Sequence, residues 1–415
     1  MSSYFISMLS EFRIVYLAGP RQAGKTTLVK GIAKEFGMAY FTLDDVNVLK
    51  AVSLDPMGFL KDLGDKKIII DEFQYAPQMI PAIKECSDAL TPNEFGKFIL
   101  TGSADVFRSA KVQEALPGHM ARLELYPLSV TEKVNYDFNI INFITAQKYL
   151  IAQYPYVSKV ELASLILEGG YPEVQNKSVR GRQVWFQSYI DGRLFKDFES
   201  LYSTRGDYHS KLNALIHYIA GISGNLLKYA NVGNDLELND KLIKSYLEIL
   251  EYMFIIKRTP AYLKNSSKRQ ASMPKLHFVD SGLACYLLGI HNETQLINSQ
   301  FFGGLLESYI YMELIKQASW SDEMVNLLYF RDTLKNEVDI VLECSNGDIF
   351  GIEIKASSTL RNEDFKGLKK LAEFAGVKFK AGLIFYNGDK SLPFNSQGHH
   401  FYALPFSMLF QPACR

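Results

Sequence analysis

The chain has no excess charge of either sign: 45 Lys and Arg stand against 45 Asp and Glu. No global field draws it to nucleic acid or to an anionic surface, so any such binding has to come from local patches. Cysteine is scarce. Cys86, Cys285, Cys344 and Cys414 are scattered with no Cys-x-x-Cys pair, which argues against a zinc site or a disulfide framework and fits a reducing, cytoplasmic setting. No apolar run approaches the ~20 residues of a membrane span, and Met1–Ile6 lacks the basic and then apolar pattern of a secretory leader. Neither membrane insertion nor a signal peptide is expected. What the chain does have is 415 residues with 47% hydrophobic and 22% charged content, which is enough for substantial cores and about two to four domains.

The most informative stretch is Gly19-Pro20-Arg21-Gln22-Ala23-Gly24-Lys25-Thr26-Thr27, between the apolar run Ile14–Ala18 and a helical pattern beginning at Leu28. This is G-x-x-x-x-G-K-[ST] in the setting strand, loop, helix. The glycines let the backbone curl around phosphate oxygens, and the helix N-terminus faces the anion. Lys25 is expected to reach the β- and γ-phosphates and Thr26 to hold Mg²⁺. A second run, Lys66–Ile70, ends in Asp71-Glu72. Ligands sit at the carboxyl ends of buried parallel strands, so Asp71 is expected to bind the metal and Glu72 to orient and deprotonate water. A third run, Lys97–Leu100, leads to Thr101-Gly102-Ser103. Thr101 or Ser103 is placed to sense the γ-phosphate, and Arg108 and Arg122 are the nearby cations.

GPRQAGKTTL, IIIDEFQ, and ILTGS followed by LPGHMARLELYPLS resemble, in that order, the AAA-type ATPases of bacteria and archaea that carry a C-terminal region of uncharacterised function. The resemblance implies an ATP-binding fold of parallel strands and flanking helices, with ATP and Mg²⁺ as ligands. The GGYPE run at Gly169–Glu173 and the PKLHFVDSGLACYLLG run at Pro274–Gly289 also look like that family; physically, GGYPE reads as a helix stop and turn.

The middle of the chain, 136–300, reads as a helical linker or lid followed by a winged helix. Tyr136–Tyr156 is helix-permissive, and Trp185–Phe198 is amphipathic. Helices are expected at 209–221, 225–231 and 240–252, then paired strands at 254–258 and 275–280 around the basic tip Asn265–Gln270. DNA reading would put helix 240–252 in the major groove and Lys268 and Arg269 on phosphates. The acids Glu248 and Glu251 on that helix favour a structural or protein-docking role instead.

In the last part, 301–415, a helix at 303–314 precedes strands at 327–331, 337–343 and 350–355. Period two puts Glu353 and Lys355 on one face of their strand, with Asp339 on the neighbouring strand and Glu307 on the helix. Carboxylates so placed can hold a divalent metal, with lysine beside the water, for phosphodiester hydrolysis. The pattern resembles the restriction-endonuclease-like PD-(D/E)xK superfamily, and nuclease activity and its loss both stay open. The expectation is therefore an α/β protein. An AAA-type P-loop core with a parallel sheet fills 1–135, followed by the helical and winged-helix region and an α/β restriction-endonuclease-like domain. ATP is the expected ligand, with a second divalent metal in the last domain. DNA, a protein partner and a homo-oligomer are open.

Overall fold

Ile14–Ala18 is buried at every position, as a strand covered on both faces must be. In the computed structural model, which describes residues 1–103, 118, 120–149, 151–202, 208–396 and 398–409, this run is the inner strand β1 of a five-stranded sheet. The others are β2 (Ala39–Thr42), β3 (Ile68–Asp71), β4 (Phe98–Gly102) and β5 (Met120–Glu124), in the order β2-β3-β4-β1-β5. All pairs are parallel. Around them lie helices α1 (Ser2–Leu9), α2 (Lys25–Phe36), α3 (Val46–Leu54), α4 (Pro56–Asp62) and α5 (Ile80–Asp88). Phe5, Val29 and Ile32 from the helices meet Val15, Leu17, Ile69 and Ile99 from the sheet in one core. β5 was not among the expected strands. Its burial alternates, so it lacks the continuous apolar run that marks β1, β3 and β4. Residues Met1–Pro127 and Tyr252–Ile255 form one compact unit, and Leu128–Glu251 with Ile256–Arg415 form another.

The second unit holds two sheets. Short strands β7 (Asn225–Leu226), β8 (Ile256–Thr259) and β9 (Lys275–Phe278) pair in the order β7-β9-β8; helices α6 (Lys159–Glu168), α7 (Val179–Tyr189) and α8 (Tyr208–Gly221) precede β7, and α9 (Tyr229–Leu236) and α10 (Asp240–Tyr252) lie between β7 and β8. The expected helix at 225–231 is thus a two-residue strand followed by a later helix. Asn225 and Leu226 are drawn into pairing with Leu276 and Lys275, a tertiary demand that local propensity does not register. The amphipathic stretch at Trp185–Phe198 is helical, but a π-helical turn at Ile190–Leu194 interrupts it.

The GGYPE and VDSGL runs meet each other. Asp280 is buried and caps α11 (Ser281–Leu287) through the Leu283 N–H at 2.9 Å, while its other oxygen accepts the Gly170 N–H at 2.7 Å. A buried carboxylate with a hydrogen-bond donor on each oxygen is a structural clamp.

The larger sheet has seven strands. These are β6 (Ala152–Gln153), β10 (Val325–Arg331), β11 (Glu337–Cys344), β12 (Ile349–Lys355), β13 (Phe379–Tyr386), β14 (Lys390–Ser396) and β15 (His399–Pro405), in the order β10-β11-β12-β13-β15-β14-β6. β12, β13 and β15 run parallel, and the remaining pairs are antiparallel. α12 (Phe302–Ala318) precedes the sheet in the chain, and α13 (Lys366–Ala375) packs Leu368, Leu371 and Ala372 into its core. Among its described residues, the helix-permissive stretch Tyr136–Tyr156 yields a short helix, Ile140–Thr145. Its later part becomes the edge strand β6, paired to Lys390 and Ser391.

Candidate functional site

In the first unit the carboxyl ends of β1, β3 and β4 converge on one place. Gly19 has to be glycine there: a Cβ on it would lie 2.0 Å from the Leu125 carbonyl oxygen. Gly24 sits at φ 104°, a backbone that only glycine adopts readily, and opens α2 with no side chain capping the helix. The first N–H groups of α2 are left for an anion. Gly19, Pro20 and Ala23 are buried, Arg21, Gly24 and Thr26 are half-buried, and Gln22 and Thr27 are exposed. Lys25 is 4% exposed, and its ammonium donates to the Gly19 and Pro20 carbonyls at 2.8 Å each.

Thr26 Oγ1 donates to Asp71 Oδ2 at 2.8 Å. Two residues from separate motifs, both expected on the metal, are brought into contact. Two more hydroxyls complete the ring around this carboxylate. Tyr40 donates to Oδ2 at 2.7 Å, and Thr101 donates to Oδ1. Burial and the Asp71 carboxylate push the Tyr40 phenol above its ordinary pKa. Tyr40 was not anticipated. The available signal was its place on a strand that ends beside Asp71, since Thr42 pairs with Asp71 in register.

Glu72 stands in the left-handed region at φ 58°, uncommon for a residue with a side chain. Its carboxylate takes a hydrogen bond from Gln74 and lies 3.7 Å from the Arg21 guanidinium, which also donates to Tyr75 Oη at 2.8 Å. Gln74 also bonds Ser103, through Nε2 to Oγ at 3.0 Å and from the Ser103 N–H to Oε1 at 3.3 Å. Of the two hydroxyls at the end of β4, Thr101 therefore faces Asp71 and Ser103 faces Gln74. Arg122 pairs with Glu124 at 2.6 Å, and Arg108 lies outside the described residues. A divalent ion fits here on the chemistry of the donors: a carboxylate and a threonine hydroxyl, in contact, beside an anion-binding helix end.

The acids of the second unit are also gathered, but around a lysine. Lys275 on β9 is 1% exposed. Its Nζ lies 2.6 Å from Glu307 Oε1, 2.8 Å from Glu337 Oε1 and 3.5 Å from Asp339 Oδ1. Asp339 Oδ2 accepts the Ile354 N–H at 2.9 Å, and Glu353 pairs with Lys355 at 3.1 Å. Burial, and then the Asp339 charge, raise the Glu307 carboxyl to about 8 and push Glu353 well above the usual carboxylate range. The expected metal set Glu307, Asp339 and Glu353 does not converge on one point. Among the described residues, no group of three or more His, Cys, Asp or Glu is arranged to hold a metal ion. The second divalent metal therefore does not fit these residues as they stand, because Lys275 supplies the positive charge. Lys275 was missed although it had a signal, a lysine opening the apolar strand run Leu276–Val279.

At the basic tip of the hairpin Lys268 is exposed, whereas Arg269 is committed. Arg269 donates both terminal nitrogens to Glu343, at 2.5 and 2.8 Å, and stacks over Tyr262. On α10, Lys241, Lys244 and Glu248 are exposed, while Glu251 holds Arg258 at 2.7 Å.

A parallel sheet with a phosphate loop between its inner strand and a helix defines a P-loop NTPase fold. The family model described as "AAA domain" matches residues 11–134, so this part of the chain is similar to AAA-type domains. Residues 159–294 and 302–409 match two families described as domains of unknown function, DUF8612 and DUF4143. The chain is similar to the uncharacterized proteins Rv2008c of Mycobacterium tuberculosis (strain ATCC 25618 / H37Rv) and Mb2031c of Mycobacterium bovis (strain ATCC BAA-935 / AF2122/97). Each is 28% identical over 350 residues, 83% of this chain and 71% of the relative. Among solved structures it is similar to the Walker-type ATPase PABY2304 of Pyrococcus abyssi, at 15% identity and TM-score 0.40, covering 69% of this chain and 94% of that one. It is also similar to a single-substitution variant of RuvB from Thermotoga maritima, at 16% identity and TM-score 0.28, covering 62% and 87%. No helix among the described residues is long and apolar enough to cross a membrane.

Proposed function

We propose that the chain binds and hydrolyses ATP with Mg²⁺ at the loop Gly19–Thr27. The observation that carries this is the 2.8 Å contact between Thr26 and Asp71, which joins the phosphate loop to the acid end of β3. The loop N–H groups and the start of α2 cradle the phosphates. Lys25 exchanges its own loop carbonyls for β- and γ-phosphate oxygens, and Thr26 and Asp71 hold Mg²⁺. Held there, the ion would supply positive charge to the transferring phosphoryl group. Glu72 accepts the proton of the attacking water, and Ser103, held by Gln74, faces the γ-phosphate. Arg21 and Gln74 set where the Glu72 carboxylate points, so the phosphate loop itself bears on the base. Purified protein should turn over ATP; Lys25→Ala should abolish turnover and Glu72→Gln should lower it by about 10²–10⁴-fold. Unchanged turnover in either variant defeats this assignment.

For the second unit we read residues 208–278 as a winged helix and 302–405 as a restriction-endonuclease-like fold. The order helix, strand, helix, helix, strand, strand supports the first. The order α12, β10, β11, β12, α13, β13, with an antiparallel hairpin beside a parallel strand, supports the second. Between action on DNA and nucleotide-controlled binding of a protein partner, the Arg269–Glu343 pair favours the partner: the arginine expected on phosphate is already spent. ATP turnover measured with and without duplex DNA separates the two. Stimulation by DNA supports DNA action, and turnover indifferent to DNA supports the switch. Self-association into a homo-oligomer is compatible with either.

A further inference from the structure

Lys275 is placed as the bound cation of a carboxylate centre is placed. An ammonium has three N–H donors and no acceptor, and here three carboxylates from two elements, Glu307 on α12 and Glu337 and Asp339 on β11, surround it at 2.6, 2.8 and 3.5 Å. Two of the remaining oxygens, and the neighbouring Glu353, have donors or cations beside them too. Asp339 Oδ2 holds the Ile354 N–H, Glu337 Oε2 lies 3.4 Å from Arg331, and Glu353 has Lys355. The Tyr329 ring centre lies 5.8 Å from the ammonium and adds a cation–π contact. The lysine backbone is pinned as well, because β9 is an inner strand with Lys275 paired to Leu226 on one side and Thr259 on the other.

A divalent ion entering this cluster would meet a buried ammonium at contact distance, and the two like charges repel strongly away from water. Removing the ammonium alone strands three acids. We propose that Lys275 is the resident cation of this centre in place of a divalent metal, and that the cluster fastens the three-stranded sheet to α12 and β11 instead of serving metal-assisted phosphodiester hydrolysis. The proposal is independent of ATP hydrolysis in the first unit. It accounts for a nuclease-like pattern of acids and lysine in which, among the described residues, no group of three acids is arranged for a metal.

The test is a Mn²⁺ titration of the full chain without nucleotide, followed by the loss of the free Mn²⁺ electron-spin signal. Wild type and Asp339→Asn should give superimposable curves. A site in wild type that weakens tenfold or more in Asp339→Asn overturns the proposal. Thermal melting is the second readout. Lys275→Met should melt lower than wild type, and adding Glu307→Gln should recover part of the loss, because the double variant leaves fewer unpaired acids. If Lys275→Met does not fold, Glu307→Gln alone in the Mn²⁺ titration takes its place, with the same expected match to wild type. A Lys275→Met protein that melts with wild type overturns the fastening role.

Discussion

Two carboxylate clusters lie in two units, and they differ in what holds the acids. Asp71 is ringed by the hydroxyls of Thr26, Tyr40 and Thr101. Hydroxyl donors orient a carboxylate without cancelling its charge, so the site keeps its demand for a cation. Glu307, Glu337 and Asp339 are held by the ammonium of Lys275, which satisfies charge and hydrogen bonding together. Both units also carry a lysine expected to serve chemistry. Lys25 rests on backbone carbonyls, partners that a phosphate can replace. Lys355 rests on Glu353, a partner of opposite charge. The difference teaches that residue types in a pattern do not settle chemistry; the charge balance of their partners does.

The sharpest way to break this contrast is to neutralise one carboxylate in each unit. Glu72→Gln should lower the rate of ATP turnover by about 10²–10⁴-fold, whereas Glu353→Gln should leave it unchanged. Steady-state phosphate release reads both. Next in size is stability. Lys275→Met should cost about 3–5 kcal/mol of unfolding free energy, as expected when one partner of a buried ion cluster is lost. Asp71→Asn, whose partners are neutral hydroxyls, should cost about 1–3 kcal/mol. Urea denaturation compares the two.

Acidity offers a third way. The Glu307 carboxyl is raised from 4.5 to about 8 in the folded chain, so between those values the native state binds the proton more tightly than the unfolded chain. Stability should therefore fall as pH rises from about 4.5 to about 8. Glu307→Gln should flatten that decline, seen in urea midpoints across the range. The smallest effect concerns a single hydroxyl. Tyr40→Phe removes one donor from Asp71, worth about 1 kcal/mol. It should shift the Mg²⁺ concentration for half-maximal turnover by about fivefold while the structure stays folded.

Where chemistry sits in consecutive residues, it could be read before the fold was known. Gly19–Thr27 carries its own glycines, lysine and threonine, and a buried parallel strand announces itself by the continuous run Ile68–Ile70. The hairpin of Glu337–Cys344 and Ile349–Lys355 was also legible, through the runs Glu337-Val338-Asp339-Ile340 and Ile352-Glu353-Ile354-Lys355, which alternate charged and apolar residues. What could not be read is pairing at a distance. Nothing local in Lys275 tells that it reaches Glu307 and Asp339, because β9 and β11 are brought together by sheets closed elsewhere in the chain. Asn225–Leu226 looks helical until Leu276 and Lys275 pair with it. The strands Phe379–Tyr386, Lys390–Ser396 and His399–Pro405 went unassigned for a related reason: they follow Lys355, where the recognisable pattern of acids and lysine stops.

The contrast between the clusters reduces to where a divalent ion binds. Equilibrium Mn²⁺ stoichiometry, measured on the full chain with and without a non-hydrolysable ATP analogue, reads this directly. The expected result is one ion per chain that requires the analogue, is lost in Asp71→Asn and is retained in Asp339→Asn. An ion bound without the analogue and lost in Asp339→Asn would contradict it.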